Sequence, residues 1–129
     1  VIDDRDIGMT PNHFLYSGSW VHLTGRHDGR YNGTSSRSFR PGDSVSLLFY
    51  GRRFSLHGIV GPKGGPATLA LDGRVQTMTF FAHTKSMAAV YASRLLRDGP
   101  HSVVIVVGTK PKDVAPTGYV NIDYARIER

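Results

Sequence analysis

The chain contains no cysteine. Disulfides and thiolate metal sites are therefore excluded, while the compartment stays open, because bacterial extracellular domains also do without cysteine. No run approaches the roughly 18 apolar residues that a bilayer-spanning helix requires, so no membrane span is expected. There is no basic-then-apolar leader, and the chain opens on Val1 rather than methionine. The expectation is an excised domain or a processed product. Acids are in the minority, with 10 Asp and Glu against 16 Lys and Arg, for a formal net charge of +6 and a pI near 10.0. Such a balance favours anionic partners.

Catalytic signatures are equally scarce. A Gly-x-Ser-x-Gly pattern is absent, and Ser17-Gly18-Ser19 lacks the following helix that a nucleophile elbow needs. Gly61-Pro62-Lys63-Gly64-Gly65-Pro66 has the composition of a phosphate loop but runs into an apparent strand at 67–71. A phosphate loop must meet a helix N-terminus, so this segment reads as a strand connection from which Lys63 can reach a ligand. His22 and His27 stand five apart on a polar stretch, and the other histidines are scattered, which is not zinc spacing. His101, in Asp98-Gly-Pro-His, reads as a turn residue bonded to backbone. No enzymatic activity is expected.

What is present is the grammar of β-strands. Hydrophobic content of 40% with 20% charged residues is ordinary globular composition, and 129 residues suit one domain, 1–129, with a two-layer core. Val45, Leu47 and Phe49 alternate with Ser44, Ser46, Leu48 and Tyr50, so one set is buried and most of the other exposed. Phe54, Leu56 and Gly58 repeat the pattern, as do Leu69 and Leu71, and then Val103, Ile105 and Val107. Asp72-Gly73 is a hairpin signal, since both residues tolerate positive φ. Residues 87–96 have alanine and leucine enough for a helix, but their β-rich neighbours favour a strand. Residues 21–36 read as a long polar loop, 37–40 as a short strand, and 119–127 as the last strand. The fold predicted is all-β: an antiparallel β-sandwich with jelly-roll topology, about eight or nine strands and essentially no helix.

Two groups of side chains carry candidate chemistry. Asp3, Asp4 and Asp6, near the start, and Asp123, in the last strand, supply the oxygen ligands that calcium prefers, provided the terminal strands pair. The second group lies in and around the long loop: Trp20, His22, Arg26, His27, Arg30, Tyr31 and Asn32, with Lys63 from the glycine-rich connection. Arginine forks match carboxylate or sulfate oxygens, and Trp20 or Tyr31 can stack on a pyranose ring. A lone tryptophan in a sandwich also serves as a core plug, and a polar loop also serves as plain surface. Both alternatives stay open on sequence.

The phrases Tyr16-Ser-Gly-Ser-Trp20, Tyr31-Asn-Gly-Thr34, 44–51, 61–65, Leu71-Asp-Gly73, Asp98-Gly-Pro-His101 and Val120-Asn-Ile-Asp123 follow one another over nearly the whole chain. In that order they resemble the galactose-binding-like jelly rolls that serve as carbohydrate-binding modules of secreted bacterial and fungal proteins. The resemblance implies a non-catalytic domain, secreted or on the cell surface, tethering a larger protein or catalytic domain to polysaccharide. It carries over no binding residues. The basic charge turns the expected ligand toward acidic or sulfated saccharide, with glycan rather than nucleic acid as the partner. Two alternatives are a structural, protein-interacting sandwich of a surface or phage assembly, and an accessory subdomain of a glycosidase or esterase.

Overall fold

The computed structural model describes residues 1–25, 30–108 and 118–129. Among them are twelve strands and no α-helix. Nine strands have four or more residues: β2 (Phe14–Ser17), β4 (Ser35–Ser38), β5 (Ser44–Gly51), β6 (Arg53–Val60), β7 (Pro66–Leu71), β8 (Arg74–Thr79), β9 (Ser86–Ala92), β10 (Gly99–Val107) and β12 (Tyr124–Glu128). The short β1 (Ile2–Asp3), β3 (Val21–Leu23) and β11 (Val120–Ile122) complete the set. Every pairing between named strands is antiparallel. Among the described residues no helix is long and apolar enough to cross a membrane.

One layer is the five-stranded sheet β2-β5-β10-β7-β8. The other joins β1-β12-β6-β9 to β11-β4-β3, and the splice lies at Asp123, whose N–H donates to the His57 carbonyl (2.9 Å). Alternation dictates the core between the layers. Leu47, Val103 and Leu71 form one row across β5, β10 and β7, and Val45, Ile105 and Leu69 form the next. All six are buried. Phe54, Leu56, Val120, Ile122 and Ala125 meet them from the opposite layer, and the Phe49 and Phe54 rings stack at 5.4 Å.

The opposite phase of the second layer looks outward. Leu56 and Ala125 are fully buried, so His57 and Tyr124 beside them project from the other face. Ser55 and Ile59 on β6, Arg126 on β12, Asn121 on β11 and Ser35 and Arg37 on β4 share that face by register.

Four local readings of the sequence are corrected. The last strand expected at 119–127 is two, β11 and β12, broken at Asp123, and His101 lies within β10 rather than in a turn. Residues 21–23 form an edge strand rather than loop, with Val21 opposite Arg37 and Leu23 opposite Ser35. The strand expected at 37–40 lies instead at Ser35–Ser38. Its three serines are polar and yet buried, Ser36 and Ser38 donating hydrogen bonds to Asp4 and Asp43. Burial there follows from bonding, which alternation of hydrophobicity does not report.

Candidate functional site

The outward face carries a cleft of about 350 Å³, within the roughly 300–1,000 Å³ of small-ligand sites. Among the described residues its charged walls are Arg30, Arg37, Lys63 and Lys85, with Tyr119, Asn121, Ile59 and Pro62 between them and no carboxylate. Four segments deliver the cations. Arg37 comes from β4, opposite Asn121. Arg30 precedes a 3-10 turn at Tyr31–Gly33. Lys63 stands on the glycine connection between β6 and β7, and Lys85 just before β9.

The floor is held by hydrogen bonds. Asn121 Oδ1 accepts from the Ile59 N–H (3.1 Å), and its Nδ2 donates to Ser35 Oγ (3.1 Å). Arg30 Nη1 donates to the same hydroxyl (3.0 Å). The Tyr119 N–H donates to the Lys63 carbonyl (3.1 Å), which ties two walls together. Close packing explains the glycines: a Cβ at Gly58 would collide with the Asn121 carbonyl, and one at Gly64 with the Phe80 carbonyl. Arg37 lies over the Phe39 ring, 5.2 Å from its centre. Its Nε is buried and has no hydrogen-bond partner among the described residues, while the residue itself lines the cleft. Burial raises the Tyr119 phenol, opposed by the Arg30 and Arg37 charges, so Tyr119 enters as a neutral hydroxyl.

A stack of rings adjoins the cleft. His57 and Tyr124 lie 4.3 Å apart and nearly parallel, and Tyr31 packs on Tyr124 at 5.5 Å. Burial, followed by the Arg126 charge, lowers the His57 pKa, so its ring is neutral at pH 7.

Behind Tyr31 lie the carboxylates. Asp3, Asp4 and Asp123 each offer an oxygen, all within 4.8 Å of one another. Pairing of β1 with β12 brings the termini together. Asp123 Oδ2 accepts from the Tyr31 N–H (2.9 Å). Asp4 accepts from Thr34 Oγ1 and from Ser36 Oγ (2.6 Å each). Burial pushes the Asp4 carboxyl up to about 7 against those two hydrogen bonds, with Asp3 adding repulsion. Two buried carboxylates and a third beside them suit a hard dication, which removes that repulsion. Asp6 stands apart from the three and accepts from the Asp3 N–H (3.0 Å).

Among the residues that sequence singled out, the structure brings Arg30 and Lys63 to the cleft and Tyr31 to the ring stack. Asn32 occupies the left-handed region (φ 53°) in the 3-10 turn. Trp20 packs against the core, its indole N–H donating to the Ser17 (3.1 Å) and Ser44 (3.0 Å) carbonyls. His22 Nδ1 meets Ser36 Oγ at 2.6 Å and its ring abuts Tyr16. Arg26 and His27 lie outside the described residues. The site residues chosen from sequence did not include Arg37, Lys85, Tyr119 or Asn121. Arg37 follows Arg26, His27 and Arg30 in a basic stretch, Tyr119 is one of six tyrosines able to stack, and Asn121 is a polar residue between Val120 and Ile122 in an otherwise apolar strand.

No protein-family model and no curated protein matches the chain. Solved structures do share its fold. A family two carbohydrate esterase from Clostridium thermocellum superposes with a TM-score of 0.61 at 19% identity, over 92% of this chain and 31% of that one. The chain thus spans less than a third of the esterase. A CBM36-1 domain of a multidomain xylanase from the hindgut metagenome of Trinervitermes trinervoides gives 0.52 at 19% identity, over 87% of both chains. The carbohydrate-binding module CBM36 in complex with calcium and xylotriose gives 0.52 at 12% identity, over 88% of this chain and 92% of that one. The protein has the jelly-roll fold that carbohydrate-binding modules adopt.

Proposed function

We propose that residues 1–129 form one non-catalytic carbohydrate-binding module that holds a larger extracellular protein on an acidic or sulfated polysaccharide. The observation that carries this reading is the cleft walled by Arg30, Arg37, Lys63 and Lys85 with no carboxylate among its described residues. Guanidinium forks and ammonium groups recognise carboxylate and sulfate oxygens, while Tyr119 and Asn121 add donors and acceptors for hydroxyls. Support for the carbohydrate class comes from the fold, shared over 88% of this chain with a carbohydrate-binding module in complex with xylotriose. Calcium at Asp3, Asp4 and Asp123 is a structural ion in this reading, pinning the first strand to the last.

A glycan array carrying uronate, sulfated and neutral polysaccharides tests the proposal. Selective retention on the charged glycans is the expected result. Silence throughout overturns it in favour of an assembly role, and retention on neutral glycans alone removes the acidic preference. Arg37→Ala and Lys63→Ala should each weaken binding several-fold and flatten its dependence on salt, as read by calorimetry at two ionic strengths.

A further inference from the structure

We infer that the ligand extends beyond the basic cleft, across the Tyr31–Tyr124–His57 rings to Arg126, and that the protein selects a saccharide whose charged residues flank a stacked one. This rests on the acidic-saccharide reading above. Register supplies the geometry. Ile59 lines the cleft; His57 is two residues back on the same face of β6, one step of about 7 Å. Tyr124 is the partner of His57, and Arg126 is the partner of Ser55, one further step along. The order along the strands is therefore cations, rings, cation. Arg30 and Tyr31 tie the first two together, being neighbours in the chain, one at the cleft and the other on the rings.

The rings do no work for the core, whose side of these strands is filled by Leu56 and Ala125. Tyr31 is 40% exposed. Its position is nevertheless fixed, because its N–H is held by Asp123 and its carbonyl accepts from the Thr34 N–H (3.1 Å). An accessible ring held rigidly is what stacking on the apolar face of a pyranose requires, since little entropy is lost on binding. A neutral His57 leaves the platform uncharged between its basic ends. Beyond Arg126, Glu128 is occupied by Arg53 (3.9 Å).

The test is calorimetry with glucuronate and with hyaluronan tetrasaccharide, in which uronate and neutral residues alternate. The tetrasaccharide should bind at least about tenfold more tightly than the monosaccharide. Tyr124→Ala should remove most of that gain while leaving glucuronate affinity unchanged, Tyr124→Phe should keep it, and Arg126→Ala should reduce it with a shallower salt dependence. Equal melting temperatures certify the variants, and Arg126→Ala, at an exposed position, decides the matter if Tyr124→Ala does not fold. Glucuronate binding with no gain in the tetrasaccharide, or a gain indifferent to Tyr124 and Arg126, overturns the extended site alone. Failure of both ligands to bind overturns this inference, and when sulfated glycans are not retained either it overturns the acidic-saccharide reading as well.

Discussion

At the scale of single residues, Trp20 shows how an aromatic side chain is committed by its polar atom. Its indole N–H donates to the Ser17 and Ser44 carbonyls, so the ring braces the end of β2 against β5. Trp20→Phe should cost about 1–2 kcal/mol in denaturant unfolding, from a lost hydrogen bond and reduced packing. Saccharide binding should not change. His101 is committed in a similar way, between Asp72 and the Arg97 carbonyl. Burial opposes its protonation, but the bonds to Asp72 and Arg97 outweigh it and raise the pKa above 6.5. Asp72 is lowered, with burial again opposed by the Ser102 N–H and His101. A raised histidine stabilises the fold fully below pH 6.5, and that contribution fades as pH climbs through its folded value. A lowered carboxylate contributes above its unfolded value of 3.8, fading as pH falls through the folded one. Their joint contribution should therefore be greatest between about pH 4 and 6.5. Melting curves from pH 4 to 8 should show Asp72→Asn destabilised most at the acidic side of neutrality and least at pH 8.

At the scale of elements, the crossing of β6 and β11 governs the cleft. Asn121 accepts the Ile59 N–H only because position 58 has no Cβ. Gly58→Ala should therefore destabilise by roughly 3 kcal/mol, at the upper end of overpacking penalties, and should weaken ligand binding as well. Gly73 provides the control. It sits at φ 82° in the β7–β8 hairpin, where an added Cβ meets nothing. Gly73→Ala should cost about 1 kcal/mol through backbone strain alone, with binding untouched. Denaturant midpoints paired with calorimetry separate the two effects.

At the scale of the whole molecule, the carboxylate cluster joins the ends of the chain. Asp3 and Asp4 sit at its start, and Asp123 marks the splice in the second layer. An ion bound there only by the native state adds about 2.7 kcal/mol at a hundredfold excess over its dissociation constant. Calcium should thus raise the melting temperature by several degrees over the same protein in chelator. Asp123→Asn should shrink that difference. Superimposable curves in calcium and chelator would argue against the ion.

The sequence by itself determined the architecture. Period-two alternation at Val45–Leu47–Phe49 and Val103–Ile105–Val107 names the buried face without reference to any partner strand, and all six are buried. Asp72-Gly73 names its turn, because both residues adopt positive φ (51° and 82°). Tertiary structure decided everything that depends on register. Arg37 and Asn121 are far apart in the chain and meet only because β4 pairs with β11. The same pairing of distant strands sets Tyr124 against His57. Asp4 and Asp6 look equivalent in the sequence, yet the Asp6 N–H donates to the Asp3 carbonyl (2.9 Å), and that turn carries Asp6 away from the cluster. Hydrophobic alternation is a local property and can be read along one strand. A constellation of polar groups is a relation between strands, and it exists only once the sheets have closed.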